Sequence, residues 1–138
     1  MYDTIKVVII MLKLMVNDRE IELSELNSTL VIEYCQKNVV PIIDDTIQID
    51  SLDSVSKRKL LEKIVDLEAN RISVLFGDRQ VPGYNELFES YRSKLNILRY
   101  LESNNNLAPE KAVEMLSTLL LETEDFQEAA KNSTITFE

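Results

Sequence analysis

The stretch VIEYCQKNVVPIIDDTIQID, residues 31–50, decides how the chain is divided. It begins with the composition of a short helix, and Asn38 is a residue type that accepts the left-handed conformation in which helices end. An apolar run broken by Pro41 then leads into two aspartates, and the alternation of residues 47–49 predicts an edge strand. We therefore interpret this stretch as the exit from a small N-terminal module into a second, helical one.

The residues before this stretch predict a β-hairpin. TIKVVIIMLKLMV, residues 4–16, opens with a β-branched run that favours a buried strand, although its MLKLM part is equally compatible with a helix. Asn17-Asp18 suits a turn, and REIEL alternates as a paired strand does. The apolar run of residues 7–16 is about half the roughly 20 residues that span a bilayer, so we expect neither a membrane segment nor a signal peptide.

The short helix ahead of Asn38 contains the single cysteine of the chain. Asn27 or Ser28 is a suitable N-cap, and the helix is expected to run through Lys37. Cys35 lies among apolar residues, which favours a buried, inert thiol. One cysteine excludes an internal disulfide framework and a cysteine-based zinc site, and it favours an intracellular, cytoplasmic location.

From Asp53 onward the apolar residues follow a helical period and predict three helices of about 20 residues each. The first is SVSKRKLLEKIVDLEANRISVLF, which ends at Gly77, and a loop DRQVPG follows. The second is YNELFESYRSKLNILRYLES, and the third begins at Pro109. The final STITFE is interpreted as a strand or a tail. The predicted fold class is α+β, mainly α, with a small β-containing module in residues 1–50 and a three-helix bundle in residues 51–138.

Composition leaves little room for catalysis. The chain contains no histidine, which removes the most frequent general base, most metal sites and every histidine-based triad. Its 2 glycines are too few for the Gly-rich phosphate-binding loops. Asp44, Asp45, Asp50 and Asp53 lack the glycine and the ligand spacing of a calcium loop, so we interpret them as a solvated linker with a helix-capping aspartate. We expect no cofactor, no metal and no enzymatic activity; an enzyme built on an unfamiliar set of carboxylates is the remaining alternative.

Apolar residues on the second and third helices are the predicted assembly contacts. Each helix has to bury its stripe against a neighbour, and the run Leu119-Leu120-Leu121 widens the third stripe beyond one face. This width is typical either of a helix at the centre of a bundle or of a partner-binding surface. The predicted interaction residues are Leu87, Tyr91, Leu95, Leu98, Leu116, Leu119 and Leu120.

The net charge of −9 disfavours wrapping by nucleic acid, but the middle segment has a basic character of its own. Three cations in the first turns of a helix oppose the helix dipole, which can mark contact with a phosphate or an acidic partner. The alternative is that the basic residues only form ion pairs at helical spacing. The predicted polyanion or acidic-partner contacts are Lys57, Arg58, Lys59, Arg71, Arg92, Lys94 and Arg99.

The first 50 residues resemble the small β domain of archaeal GINS subunits, which are accessory proteins of the replicative helicase. IKVVIIMLKLMVNDREIEL resembles the two opening strands of that domain, and the short helix that follows resembles its helix motif. The motif positions fall on Val31, Tyr34, Cys35, Asn38 and Val40. The resemblance implies a small β domain followed by a helical domain, and a non-catalytic scaffold that binds a sister subunit, the helicase ring and a RecJ-like partner.

We therefore expect a non-enzymatic protein–protein interaction or scaffold subunit of a multi-protein complex, in a homo- or hetero-oligomer and without membrane contact. The alternative is a small helical viral or defence-system adaptor, or a ribonucleoprotein subunit, that makes weak nucleic-acid contacts through the basic residues of the helices.

Overall fold

The computed structural model describes residues 11–76 and 83–132. The chain divides into two compact units, Met1–Ser51 and Leu52–Glu138. The first contains strands β1 (Lys13–Val16), β2 (Arg19–Glu22) and β3 (Thr46–Gln48) and helix α1 (Glu25–Asn38). The second contains helices α2 (Ser54–Phe76), α3 (Tyr84–Ser103) and α4 (Pro109–Asn132). The predicted α+β, mainly α class is confirmed.

A three-stranded sheet with the order β2-β1-β3 forms the first unit together with α1. β1 pairs antiparallel with β2, so that Leu14 lies opposite Ile21, and it pairs parallel with β3, so that Leu14 also lies beside Ile47. All three side chains are buried, because residues in register on adjacent strands point to the same face of a sheet. Lys13–Val16 is thus a strand and not a helix; residues 4–10 of the predicted strand lie outside the described residues.

The turn between β1 and β2 is formed by Asn17 and Asp18, as predicted. Both residues have a positive φ, 49° and 62°, which is the backbone that a two-residue hairpin turn of type I′ requires. Glycine usually occupies the second position, and here the Asp50 carboxylate stabilises the turn. Its two oxygens accept hydrogen bonds from the N–H groups of Asn17 at 2.8 Å and Asp18 at 3.1 Å.

The start of α1 differs from the prediction. Ser24, not Asn27 or Ser28, is the N-cap, and its side chain accepts a hydrogen bond from the Asn27 N–H at 3.3 Å. Ser28 is buried inside the helix, where its hydroxyl accepts from the Leu12 N–H at 2.8 Å and donates to the Leu23 carbonyl at 3.3 Å. Ser28 therefore connects α1 to the backbone that flanks the sheet. The local sequence does not reveal this contact, because Leu12 is distant from Ser28 in the chain.

The end of α1 also differs by one residue. Asn38 is the last helical residue, and its side-chain amide donates to the Tyr34 carbonyl at 2.9 Å. Val39 takes the left-handed conformation instead, with φ 56° and ψ 46°. The N–H groups of Val39 and Val40 both donate to the Cys35 carbonyl, which satisfies the helix end without a glycine.

The three helices of the second unit have the predicted order and nearly the predicted bounds. Asp53 caps α2 by accepting from the Ser56 N–H and hydroxyl, both at 2.9 Å, as expected of a helix-capping aspartate. α2 and α4 form the principal helix pair, and α3 packs mainly on α4. Residues 77–82, which comprise the predicted helix end Gly77 and most of the predicted loop, and residues 133–138, the predicted strand or tail, lie outside the described residues.

The core of the second unit lies along the apolar stripes of α2 and α4. Its buried apolar residues on these two helices are Leu60, Leu61, Ile64, Val65, Ile72, Ala112, Met115, Leu116, Leu119, Leu120 and Ala130. By contrast, Leu98 is the one residue of α3 that is buried. The stripe of α3 is thus only partly covered within the unit.

Candidate functional site

A groove between α2 and α3 encloses a cavity of about 230 Å³. We call it the α2–α3 groove. Apolar and aromatic side chains provide much of its lining, and α4 contributes one residue to it. The lining residues are Asp66, Ala69, Asn70, Ile72, Ser73, Tyr84, Leu87, Phe88, Tyr91 and Thr123.

The groove exists because α3 packs on α4 more closely than on α2. Tyr84, Leu87, Phe88 and Tyr91 occupy positions i, i+3, i+4 and i+7 of α3 and therefore form one stripe along this helix. Tyr84, Leu87 and Tyr91 are half-buried, and Phe88 is 43% exposed. The side of this stripe that faces α2 is therefore available for contact.

Aromatic packing fixes the start of α3. The Tyr84 ring lies 6.0 Å from the Phe126 ring, at an angle of 59°, and both contact the buried pair Ile72 and Ala130. Gly83 precedes the helix with φ 88°, and a Cβ at this position would lie 3.7 Å from the Phe126 ring. The left-handed backbone favours glycine at position 83. Gly83 and the packing of Tyr84 on Phe126 therefore fix the place where α3 begins.

Asp66 and Tyr91 interact across the groove. Burial, the negative charge of Asp66 and a side-chain hydrogen bond with Asp66 raise the pKa of Tyr91, while the positive charge of Arg99 lowers it. The Tyr91 hydroxyl therefore stays protonated at neutral pH and donates to the carboxylate. This contact joins α2 to α3 at the wall of the groove.

The predicted interaction residues fall into two groups. Leu98, Leu116, Leu119 and Leu120 are buried within the second unit, where they hold the helices together and cannot reach a partner unless the helices separate. Leu87, Tyr91 and Leu95 are half-buried, and the first two line the α2–α3 groove. The structure thus brings two of the seven predicted residues together at the groove.

Most of the predicted basic contacts have partners in the second unit. Arg58 forms an ion pair with Glu102 of α3, and the Arg92 guanidinium lies 5.1 Å from the centre of the Phe88 ring. Lys94 donates to Ser90 at 2.6 Å and to Glu122 of α4 at 3.1 Å. The Arg58–Glu102 and Lys94–Glu122 contacts cross between helices, whereas the contacts of Arg92 with Phe88 and of Lys94 with Ser90 join residues four positions apart on α3.

Arg71 makes the pair that helical spacing does predict. It donates to one oxygen of Glu68, three residues earlier, at 2.9 and 2.7 Å, and also to the Gln127 side chain on α4. The Glu68 side chain is 1% exposed, and its other oxygen has no hydrogen-bond partner in the described residues. Among the other predicted cations, Lys57 is half-buried and interacts with another residue, and Lys59 and Arg99 are exposed. The seven basic residues therefore do not form one uninterrupted cationic surface.

No arrangement typical of a metal centre occurs in residues 11–76 and 83–132: no three His, Cys, Asp or Glu side chains lie close enough together to hold an ion. Cys35 is buried in the first unit, and burial raises the pKa of its thiol to about 11. The thiol is therefore protonated at neutral pH, as an inert core residue would be.

Comparison of the chain with protein-family models, with curated proteins and with solved structures finds no match. Within the described part of the chain, no helix combines the length and the apolar character needed to cross a membrane. The groove residues that were not among the predicted site residues are Asp66, Ala69, Asn70, Ile72, Ser73, Tyr84, Phe88 and Thr123. The apolar stripe of α3 is the one sequence signal for any of them, and it covers only Tyr84 and Phe88.

Proposed function

We propose that this chain is a non-enzymatic interaction subunit that docks an apolar segment of a partner protein in the α2–α3 groove. The observation that carries the proposal is the partly covered aromatic stripe of α3 beside a defined cavity. Exposed apolar surface next to a concave site is typical of protein-docking surfaces.

The dimensions of the groove favour a protein segment over a free small molecule. Small-molecule pockets usually have about 300–1,000 Å³. The cavity of about 230 Å³ is smaller and open between two helices. A few side chains from one face of an amphipathic helix suit such a groove, since the rest of the helix remains outside.

The basic residues support a nucleic-acid adaptor less well. Arg58, Arg71 and Lys94 contact carboxylates, and Arg92 stacks on Phe88, so binding a phosphate would first break these contacts. Within the class of interaction subunits, the resemblance of residues 1–50 to the small β domain of GINS subunits favours an accessory of a replicative helicase, with sister subunits as partners.

Two variants with matched exposure test the docking site. Phe88 and Ile97 lie on the same helix, 43% and 46% exposed, but only Phe88 lines the groove. We expect Phe88→Asp to weaken partner capture by about ten-fold, as loss of a buried aromatic anchor does, and Ile97→Asp to retain it. Capture is measured by affinity purification from the cells that make the protein, with circular dichroism as the check on folding.

The proposal fails if the wild-type chain captures no protein, or if the two variants lose the same protein equally. Capture that disappears on nuclease treatment would instead favour the nucleic-acid adaptor.

A further inference from the structure

The flank of α3 beside the α2–α3 groove carries two arginines. Phe88, Arg92, Leu95 and Arg99 occupy positions i, i+4, i+7 and i+11 of this helix, so they share one face. Phe88 lines the groove, Leu95 is half-buried, and both arginines are exposed. We call these four residues the arginine stripe. It places two cations beside a groove that is lined largely by apolar and aromatic side chains.

Neither arginine of the stripe forms an ion pair within the described part of the chain. By contrast, Arg58, Arg71 and Lys94 each pair with a carboxylate of the second unit. Glu102 lies three residues after Arg99, at a spacing that allows a pair, but it binds Arg58 instead. The two arginines can therefore take a carboxylate from a partner without giving up one of the chain's own.

The exposed charges of α2 beside the stripe balance one another. Four exposed residues share the face of α2 that continues from the groove, at helical spacing: Lys59, Glu62, Lys63 and Asp66. They contribute two positive and two negative charges, so the two arginines leave this face with an excess of positive charge. The chain as a whole has a net charge of −9. Because Asp66 repels an acidic group, a partner's carboxylates are expected on the α3 side of the groove, at the arginines.

Arg92 is already held in a position that suits a carboxylate. Its guanidinium lies 5.1 Å from the centre of the Phe88 ring. A guanidinium that stacks on a ring presents its N–H donors at its edge, where a carboxylate can accept from two of them at once. Because the ring restricts the side chain beforehand, less conformational entropy is lost when a partner binds.

We propose that the α2–α3 groove docks an acidic amphipathic helix of a partner protein, with apolar side chains in the groove and two carboxylates on Arg92 and Arg99. This rests on the proposed function, since it names the chemistry of the docked segment. Seven residues separate the two arginines, which is about 10.5 Å along a helix axis. A partner helix beside α3 presents its residues i and i+7 at the same separation, and its residues i+3 and i+4 then lie over Leu95 and the groove.

A protein helix fits this face better than a nucleic acid does. A phosphate chain carries a charge on every nucleotide and is bound through many cations. Here Arg58 and Lys94 are already paired, and Glu62 and Asp66 interrupt the cations of α2. Two cations beside apolar surface instead match a helix that has acidic residues at its margin and apolar residues at its centre.

The test uses the full chain, labelled with ¹⁵N, and a capped helical peptide with leucines at positions i+3 and i+4 and glutamates at i and i+7. Matched peptides replace both glutamates by glutamine or by lysine. Binding is followed through the backbone amide signals of Ala69, Asn70 and Ser73, which line the groove.

At low salt we expect the glutamate peptide to bind about five-fold more tightly than the glutamine peptide, and the lysine peptide to bind most weakly. The preference should shrink as salt is added, because both arginines are exposed. An unspecific effect of charge would give the opposite order, since the net charge of −9 attracts the lysine peptide.

The charge requirement is tested with the double variant Arg92→Gln, Arg99→Gln. Its control is the double variant Lys37→Gln, Lys111→Gln, which removes two positive charges from exposed residues of α1 and α4 that do not line the groove. The arginine variant should abolish the preference for glutamate over glutamine, and the control should retain it. The amide spectrum of each variant shows whether it is folded.

The outcomes separate the two proposals. Equal binding of the glutamate and glutamine peptides, or a preference that survives the arginine variant, overturns the acidic helix but leaves the groove as a docking site. If no peptide moves the groove signals, the docking function itself is contradicted. If a single-stranded oligonucleotide moves the same signals at a lower concentration than the glutamate peptide, the arginines serve a nucleic acid and the acidic helix is rejected.

Discussion

Replacing Val39 by glycine should stabilise the first unit, because Val39 is held in the left-handed region at the end of α1. The other non-glycine residues of the described chain with a positive φ are all Asn or Asp, which tolerate this backbone. Valine is branched at Cβ, and its left-handed conformation costs roughly 1–2 kcal/mol. Glycine removes that strain, since it has no Cβ.

Two opposing effects determine the net gain. Val39 is 89% exposed, so removing its side chain forfeits on the order of 0.2 kcal/mol of burial. Glycine also gives the unfolded chain more freedom, which costs roughly 0.5–1 kcal/mol. The hydrogen bonds from positions 39 and 40 to the Cys35 carbonyl are made by the backbone and remain. The expected gain in the free energy of unfolding is about 0.5 kcal/mol.

The assay makes use of the single cysteine of the chain. Cys35 is 1% exposed and belongs to the first unit, so pulsed thiol labelling across a urea series reports the unfolding of that unit. The midpoint should rise for Val39→Gly with no change in the denaturant slope. Gln36→Gly is the control, in which glycine should have the opposite effect on stability. Gln36 is an exposed helical residue of α1, and glycine there should lower the free energy of unfolding by roughly 0.6–1 kcal/mol. If Val39→Gly lowers the midpoint as Gln36→Gly does, the reasoning from backbone strain is refuted.

Three further predictions concern polar contacts. Asp50→Ala removes both acceptors of the hairpin turn and should lower the stability of the first unit by about 1–2 kcal/mol. The same thiol-labelling assay measures this change. An unchanged urea midpoint would contradict the stabilising role of this carboxylate. Hydrogen bonds from the Ser56 N–H and hydroxyl lower the pKa of Asp53, so its contribution to stability is present above about pH 4 and is lost as the pH falls through the lower folded value. Between about pH 6 and pH 3, the Asp53→Asn variant should therefore lose less stability than the wild type. Stability is measured at each pH by urea unfolding monitored with circular dichroism. Arg71→Met leaves the Glu68 carboxylate buried without its cation and should lower the free energy of unfolding by roughly 3 kcal/mol. The double variant Arg71→Met, Glu68→Met should recover much of that loss. Equal stability of the single and the double variant would argue against the buried pair.

The helices were predictable from the sequence because their apolar stripes are long and regular. Pro109 begins α4, and α3 covers Tyr84–Ser103, as the spacing indicated. The hairpin was also predictable from Asn17-Asp18 and from the alternation after it. In these segments the local preference and the final packing agree, so the pattern alone is sufficient.

The errors arose where a distant contact decided the role of a residue. Ser28 has the chemistry of an N-cap, but its hydroxyl is used by Leu12 and Leu23, and Ser24 caps the helix instead. Asn38 suits a left-handed position, yet the helix continues through it and Val39 follows in that conformation. Local propensity cannot anticipate such long-range demands.

The α2–α3 groove could not be predicted from the sequence for a similar reason. Its residues belong to three helices, and it depends on α3 packing on α4 and leaving a gap beside α2. Likewise, helical spacing finds pairs such as Glu68 and Arg71 but not the pair that joins Lys94 to Glu122 across 28 positions. The chemistry of the candidate site is therefore a property of the packed unit.

The hydrogen bonds from the hairpin turn to Asp50 determine the stage of protein synthesis at which the first unit can fold. As the polypeptide leaves the ribosome, the residues of β1 and β2 emerge first, but the acceptor of Asn17 lies 33 residues later. The parallel partner of β1 also arrives late, since β3 begins at Thr46. A nascent chain that ends before Thr46 contains the hairpin and α1 without the two contacts that complete the sheet. Co-translational folding of this unit should therefore occur in one late step, when residues 46–50 become available, and a stalled shorter chain should remain sensitive to proteases.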